Sequence, residues 1–381
     1  MIPDDAFGRP DQREQELDGR PLDEGEDTQQ RVLIWGAGAI GGAIGAALIR
    51  SGVDVTFVDV AQAHVQAIRE RGLQVTGPFG GPTVRASACT PEELAGQWPL
   101  ALLCTKAQDT RAAGEALRPH VTGDGAVVSV QNGLNPLILN EILGPGRVLG
   151  AFVNFGADYL EPGVVTYGGR GAVVVGEQGG ALTARAHAIH ALLQRFEPAA
   201  ILTPNIFGYL WSKLGYGSLL FATAVTDDSI ADALARPDNR AMYVELGREV
   251  MRVALAHGVT PEAFNGFDPA AFLPGAGDAQ AHASLDDLVA FNRRSAKTHS
   301  GIWRDLAVRK RRTEVDAQVG WVVHFGDQHG VPTPLNALLV ELIHDIENGR
   351  RTLDAAGTDG PNMRALRAAM PAISGVPGVG A

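Results

Sequence analysis

From Arg31 onward the chain alternates short apolar runs with stretches of helical spacing. Val32-Leu33-Ile34-Trp35 is continuously apolar, the pattern of a strand buried on both faces. Gly36-Ala37-Gly38-Ala39-Ile40-Gly41 follows at once. Ile40, Ile44 and Leu48 then recur at helical spacing up to Arg50-Ser51-Gly52, a cationic last turn with a glycine stop. Residues 55–58 read as a second strand ending at Asp59, and similar apolar runs recur at 100–104, 126–130 and 148–153. Strands alternating with helices predict a parallel, doubly wound sheet.

The pattern changes near residue 155. Residues 164–167 and 172–175, separated by Gly168-Gly169-Arg170-Gly171, read as a hairpin. A helix over 182–195 and a proline-containing segment over 198–204 follow. From 207 to 349 the periodicity is helical throughout, broken by a Gly/Pro/Ala loop at 265–285. The polar stretch 1–30 is expected as a disordered acidic extension, and 351–381, where Gly and Pro recur, as a loosely attached tail.

The six residues Gly36–Gly41 form a G-x-G-x-x-G fingerprint, and its place between a strand and a helix makes the pattern specific. Gly36 permits the tight turn, Gly38 lets a pyrophosphate approach the backbone, and Gly41 lets the helix pack on the strand. Ala37, Ala39 and Ile40 complete the loop, whose helix N-terminus offers N–H groups and positive potential to phosphates. Asp59 lies 23 residues after Gly36. A carboxylate at that strand end accepts hydrogen bonds from ribose hydroxyls and repels a 2′-phosphate, so the cofactor expected is NAD(P)H with NADH favoured. The fold class read from these patterns is α/β: a Rossmann-type doubly wound sheet over 31–200, followed by an all-α substrate and catalytic domain over 205–350.

Composition narrows the classes. At roughly 150 residues per domain, 381 residues make two domains, and 45% hydrophobic with 20% charged residues is ordinary for a globular chain. Of the net charge of −11, −7 lies in residues 1–30, with ten Asp/Glu and three Arg, so the body is near neutral. Without a basic face, nucleic acid is excluded as the main partner. No uninterrupted apolar run reaches about 18 residues, so no membrane partner is expected. Two cysteines, Cys89 and Cys104, cannot build a disulfide scaffold and suit a cytoplasmic setting. Only four of the 32 basic residues are lysines: Lys106, Lys213, Lys297 and Lys310. In a chain that uses arginine for ordinary charge, each lysine draws attention. The segment around Lys213, 207–224, carries no other charge, which is unlike a solvated helix face.

Leu103-Cys104-Thr105-Lys106-Ala107, Val130-Gln131-Asn132-Gly133, Trp211-Ser212-Lys213-Leu214 and Arg312-Thr313-Glu314-Val315-Asp316 occur in the order seen in ketopantoate reductases, which the chain resembles over 31–350. The resemblance implies reduction of a 2-keto acid by hydride transfer from a nicotinamide. It makes Lys213 the general acid that protonates the ketone oxygen. It places Asn132 at the nicotinamide end of the cofactor and against the substrate, and Lys106 on the adenosine side. Glu314 stands near the nicotinamide ribose and the lysine, with a catalytic role, and Ser300 holds the substrate carboxylate. One straight helix would put Ser300 and Glu314 about 21 Å apart. Thr313-x-x-Asp316 reads as an N-cap with an acidic partner, so a new helix is expected to start at Thr313 and the chain to fold back. The expected partners are a small 2-keto acid and a second copy of the chain in a homodimer.

One departure bears on the substrate. The family usually carries an asparagine four residues after the lysine and an Asn-Pro pair beyond it, where this chain has Gly217 and Phe221-Ala222. Gly217 and Phe221 share the Lys213 face of a helix and are expected to line a roomier, more apolar substrate pocket. An alternative activity is therefore that of a D-2-hydroxyacid dehydrogenase acting on branched or aromatic 2-keto acids with NADH. A third reading, of another class, is a nicotinamide-sensing binding protein without turnover, which would have no use for Lys213 and Glu314 together. Lys297, His299, Arg304 and Arg309–Arg312 make the stretch around Ser300 basic, and the arginine group is expected to pair with Asp305. His257, His324 and His329 lack companions at ligand spacing, so no metal is expected.

Overall fold

A computed structural model describes residues 31–370, apart from residue 265 and residues 295–297. The 1–30 extension, the last eleven residues of the expected tail and Lys297 therefore lie outside the described residues. The chain forms two compact units, one ending at Ile206 and the other beginning at Phe207.

The first unit runs β1 (Arg31–Trp35), α1 (Ala39–Arg50), β2 (Asp54–Val58), α2 (Gln62–Arg71), β3 (Leu73–Thr76), β4 (Gly81–Val84), β5 (Ser87–Cys89), β6 (Trp98–Leu103), α3 (Thr110–Leu117), β7 (Val121–Ser129), α4 (Asn135–Leu143), β8 (Val148–Glu161), β9 (Val164–Glu177), α5 (Ala184–Gln194) and β10 (Ile201–Leu202). Among the described residues these strands form one sheet in the order β4-β3-β9-β8-β7-β6-β1-β2-β5, with β10 beside β9. From β5 to β8 all neighbours are parallel. Side chains alternate across the sheet, as period-2 geometry requires. Val32 and Ile34 join a core with Ile44 and Leu48 of α1, and Leu33 and Trp35 one with Leu117 of α3 and Leu139 of α4. Each fully buried aliphatic contributes about 1.5–3 kcal/mol, which is why the run 32–35 has no polar position. Because β2 and β6 flank β1, the chain reverses winding there, and a crevice opens beyond the carboxyl ends of β1 and β6.

The expected hairpin around Gly168–Gly171 is not the one formed. β8 and β9 are long antiparallel strands that turn at Pro162-Gly163, and Gly168–Gly171 runs inside β9, opposite register shifts between Asn154 and Ala157. A Cβ on Gly171 would overlap the Asn154 backbone, so those glycines permit a bulged crossing rather than a reversal. The turn itself uses Gly163 at φ +81°.

The second unit is helical: α6 (Ile206–Thr223), α7 (Ile230–Ala235), α8 (Arg240–Ala256), α9 (Asp278–Arg293), α10 (Gly301–Trp303), α11 (Val319–His329), α12 (Pro334–Glu347) and α13 (Pro361–Ala369). Apolar on nearly every side, α6 buries Trp211, Leu214 and Leu219 almost completely. The buried Glu249 carboxylate of α8 accepts the N–H groups of Leu335 and Asn336 at the start of α12, each at 2.9 Å. Asn336 in turn accepts from Ser218 Oγ of α6 at 2.6 Å, locking three helices together. Burial raises the Glu249 pKa, and the N–H bonds from α12 oppose the rise.

Three expectations for this unit need correction. The 265–285 loop ends early, since α9 starts at Asp278. Thr313 starts no helix. Its N–H and Oγ both donate to Glu347 Oε1 at 2.7 Å, which holds Thr313 in irregular backbone, and α11 begins only at Val319. The 351–381 stretch is packed as far as α13. Asp354, 2% exposed, accepts from Asn362 N and Met363 N at the first turn of α13, and Asn362 Nδ2 donates to Val225 O. Those bonds cap a helix that the recurring Gly and Pro disguised as a tail.

Candidate active site

In the first unit the glycine loop leaves β1 at the crevice. Gly36 sits at φ +100°, and its N–H donates to Val58 O at 2.7 Å. A Cβ there would stand 2.9 Å from the backbone of Cys104 and Thr105, so only glycine fits between the ends of β1 and β6. A Cβ on Gly41 would lie 2.8 Å from Ile34 Cγ2 and closer still to Gly36 O, which is how α1 comes down onto β1. Gly38 is the contrast. It caps α1 without a side chain, and a Cβ on it would meet no atom within 4 Å. The loop thus presents an open side at a helix N-terminus that no side chain caps, which fits the diphosphate of a dinucleotide.

Asp59 stands at the end of β2, as its spacing requires. Its Oδ2 accepts from Ala37 N and its Oδ1 from Ala61 N, both at 2.9 Å, and each oxygen keeps a second lone pair for a ribose hydroxyl. Ala39 and Ile40 open α1. Lys106 is exposed just beyond β6, and Asn132 is half-buried just beyond β7. A buried amide network joins those two loops. Gln131 Nε2 donates to Thr105 O, Thr105 Oγ1 and Thr110 Oγ1 at 2.9–3.2 Å, while its Oε1 accepts from Ser129 Oγ. Asn135 Nδ2 holds the Asn132 carbonyl at 2.5 Å. Gln131 was visible in the sequence as part of a motif, but its bonding depends on β6 and β7 being neighbours.

In the second unit Lys213 is half-buried on α6, flanked by the buried Ser212 and Leu214. One turn on, a Cβ at Gly217 would stand 3.3 Å from Gln318 Oε1. Phe221, a further turn along, is 0% exposed. Phe221 therefore belongs to the core, and the buried Gly217 stands beside the Gln318 amide rather than an apolar side chain. Ser300 is 5% exposed and caps α10, its Oγ accepting from Trp303 N at 3.1 Å with its own O–H still to donate. Glu314 is 8% exposed and is held by its neighbour Thr313 on Glu347.

Between Ser300 and Glu314 the chain does not form one straight helix. A π-helical turn over Arg304–Val308 is followed by Lys310 at φ +49°, the one positive φ outside glycine among the described residues. This break is fastened by Asp305, 4% exposed, whose Oδ1 accepts from Arg309 at 3.0 Å and Arg311 at 2.9 Å. Of the arginine group, Arg309 and Arg311 are paired with Asp305 as expected. The His299 ring packs on Trp303 at 4.1 Å, tilted by 34°, and its Nε2 lies 3.3 Å from Asp227 O. His257 Nδ1 stands 2.7 Å from His329 Nε2, and among the described residues no three His, Cys, Asp or Glu side chains are gathered for a metal. No helix among them is long and apolar enough to cross a membrane.

The chain is similar to known proteins over most of its length. The 2-dehydropantoate 2-reductase of Pyrococcus horikoshii is 27% identical over 318 residues, spanning 82% of this chain and 96% of its own. That of Archaeoglobus fulgidus is 27% identical over 322 residues, 84% and 99% of the two chains. A crystal structure of a PanE/ApbA family ketopantoate reductase from Ralstonia eutropha superposes with a TM-score of 0.71 at 28% identity, over 84% of this chain and 99% of that one. D-mandelate dehydrogenase in complex with NADH and anilino(oxo)acetate shares the fold, with a TM-score of 0.73 at 23% identity over 84% and 99%. Residues 32–180 match the family described as ketopantoate reductase PanE/ApbA, and residues 205–347 match its C-terminal counterpart. The chain belongs to the ketopantoate reductase PanE/ApbA family, whose members are NAD(P)-dependent oxidoreductases acting on CH–OH groups.

Proposed function

We propose that this chain reduces ketopantoate or a close 2-keto acid relative to the 2-hydroxy acid, with NADH preferred. The observation that carries the reading is Lys213, a half-buried ammonium on a helix with no other charge. The bound nicotinamide supplies the hydride. Gly36–Gly41 cradle the diphosphate, Asp59 takes the ribose hydroxyls, and Lys106 and Asn132 flank the cofactor from the ends of β6 and β7. Lys213 donates its proton to the ketone oxygen and stabilises the developing alkoxide. Ser300 donates its O–H to the substrate carboxylate, and Glu314 orients Lys213. NADH preference rests on Asp59 and on Val60 beside it, which offers no cation to a 2′-phosphate.

Gln318 supports the ketopantoate reading, because its amide stands where the missing side chain of Gly217 would project. A second reading, a D-2-hydroxyacid dehydrogenase for less polar branched or aromatic acids, is favoured by the bare backbone at Gly217. Profiling kcat/KM with ketopantoate, 2-ketoisovalerate and phenylglyoxylate separates the two. The first reading expects ketopantoate to lead by at least about tenfold, since unpaired polar groups in a site discriminate strongly. It also expects Gln318→Leu to erase that lead. Preference for phenylglyoxylate in the unmodified enzyme selects the second reading.

A further inference from the structure

Five residues beyond Asp59, α2 carries His64, which is 1% exposed and which the reaction does not use. Its Nε2 lies 2.9 Å from Ala37 O in the glycine loop. Its Nδ1 accepts the Gly163 N–H at 2.9 Å, from the turn that joins β8 and β9. Since Nδ1 accepts the Gly163 N–H, Nε2 is the ring nitrogen that donates to Ala37 O. The Tyr159 ring, near the tip of the same hairpin, meets His64 edge-on at 5.1 Å and closes the site over it.

Both polar backbone groups of Ala37 are therefore held by side chains from one short segment: its N–H by Asp59 and its C=O by His64. The second grip sets direction. The Ala37 carbonyl and the Gly38 N–H belong to one planar trans peptide and point opposite ways. Fixing the carbonyl toward α2 turns the Gly38 N–H the opposite way, at a residue where an added Cβ would meet nothing within 4 Å. The Gly163 turn is anchored independently, its carbonyl accepting from Gln74 N at 2.9 Å, so His64 ties the loop to a fixed point of the sheet.

We propose that His64 is a positioning residue for dinucleotide binding: it locks the Ala37–Gly38 peptide in the orientation that receives the cofactor diphosphate by bridging it to the β8–β9 turn. The inference rests on the assignment of the glycine loop to a nicotinamide dinucleotide. His64 touches neither substrate nor reacting atoms, so its effect falls on cofactor affinity rather than on turnover.

The test is NADH binding by titration calorimetry together with kcat and cofactor KM, on the full chain and on three variants. His64→Phe keeps bulk and removes both bonds. His64→Met removes them with a flexible side chain that fits irregular space, should the phenylalanine variant not fold. His64→Gln restores a neutral donor and acceptor. The expected result is a rise of tenfold or more in NADH Kd and KM for Phe or Met, with kcat at saturating NADH within about twofold of the parent, a tenfold change being 1.4 kcal/mol. Gln should recover affinity to within about threefold, which a role in bulk packing would not predict. A folded Phe or Met variant that binds NADH within twofold of the parent overturns the inference, as does a folded Gln variant with no recovery. Failure of the parent chain itself to bind NADH or NADPH would overturn the functional reading beneath it, and the inference with it.

Discussion

Replacing Gly41 by alanine and Gly38 by alanine should separate folding from cofactor binding within one loop. At Gly41 the new methyl would stand 2.8 Å from Ile34 Cγ2, 3.1 Å from Cys104 Cβ and inside the radius of Gly36 O. Two of these three neighbours are side chains in the core, and the third is backbone fixed by the Gly36 N–H bond to Val58 O. None is the free end of a flexible chain, so α1 must lift off β1. Overpacking of this kind costs about 1–3 kcal/mol. At about 2–4 °C per kcal/mol for a unit the size of the first one, its melting temperature should fall by several degrees. NADH affinity should fall at least tenfold as Gly36 shifts. At Gly38, with φ −67° and open space, alanine leaves the free enzyme within about 1 kcal/mol of the parent. The methyl nevertheless occupies the side on which the diphosphate arrives, so affinity should fall with little loss of stability. Differential scanning fluorimetry with and without NADH, alongside calorimetric Kd, reads both. Gly38→Ala binding NADH like the parent, or Gly41→Ala melting like it, would refute the packing argument.

Asp59→Ser should raise the kcat/KM ratio of NADPH to NADH by removing a charge that faces the 2′-phosphate; an unchanged ratio would remove Asp59 from cofactor selection. Lys213→Ala should lower kcat by about 10²–10⁴-fold while leaving NADH Kd within a few-fold. A folded variant with near-normal kcat would end its role as general acid. Burial first, and the neighbouring His329 second, push the His257 pKa down from 6.5 to about 4. The unfolded chain therefore binds a proton between those values that the folded chain does not, and the stability from His257 is complete above pH 6.5 and declines toward pH 4. Subtracting the pH dependence of the melting temperature of His257→Asn from that of the parent isolates this contribution, and identical profiles would contradict it.

How far the sequence could be read depended on the range of the interactions. β1, the glycine loop, α1 and Asp59 carry patterns that lie within about 25 residues of one another, and their spacing announced them. α6 was equally plain, because one lysine interrupts an apolar helix. The β8–β9 turn was misplaced because Gly168–Gly171 carries a stronger local turn signal than Pro162-Gly163. What overrides it is the approach of Gly171 to Asn154, a tertiary contact. Thr313 was misread in the same way, since its real partner is Glu347, 34 residues away. Phe221 shares a helical face with Lys213, but a shared face cannot distinguish a pocket from a core. His64 bonds residues 27 and 99 positions distant, and nothing local marks it.

The packed end of the chain has a practical consequence. The family match stops at residue 347, yet Asp354, Asn362, Met363 and Leu366 are buried beyond it. A version of this protein trimmed to the boundary of its relatives would discard α13 and strip the Val225 carbonyl and the Asp227 N–H of their partners Asn362 and Asp354. Those atoms lie just past the last turn of α6, so the cut would fray the helix that bears Lys213. A protease probing the intact chain should meet resistance through residue 369, well past the point where homology alone would place a flexible end.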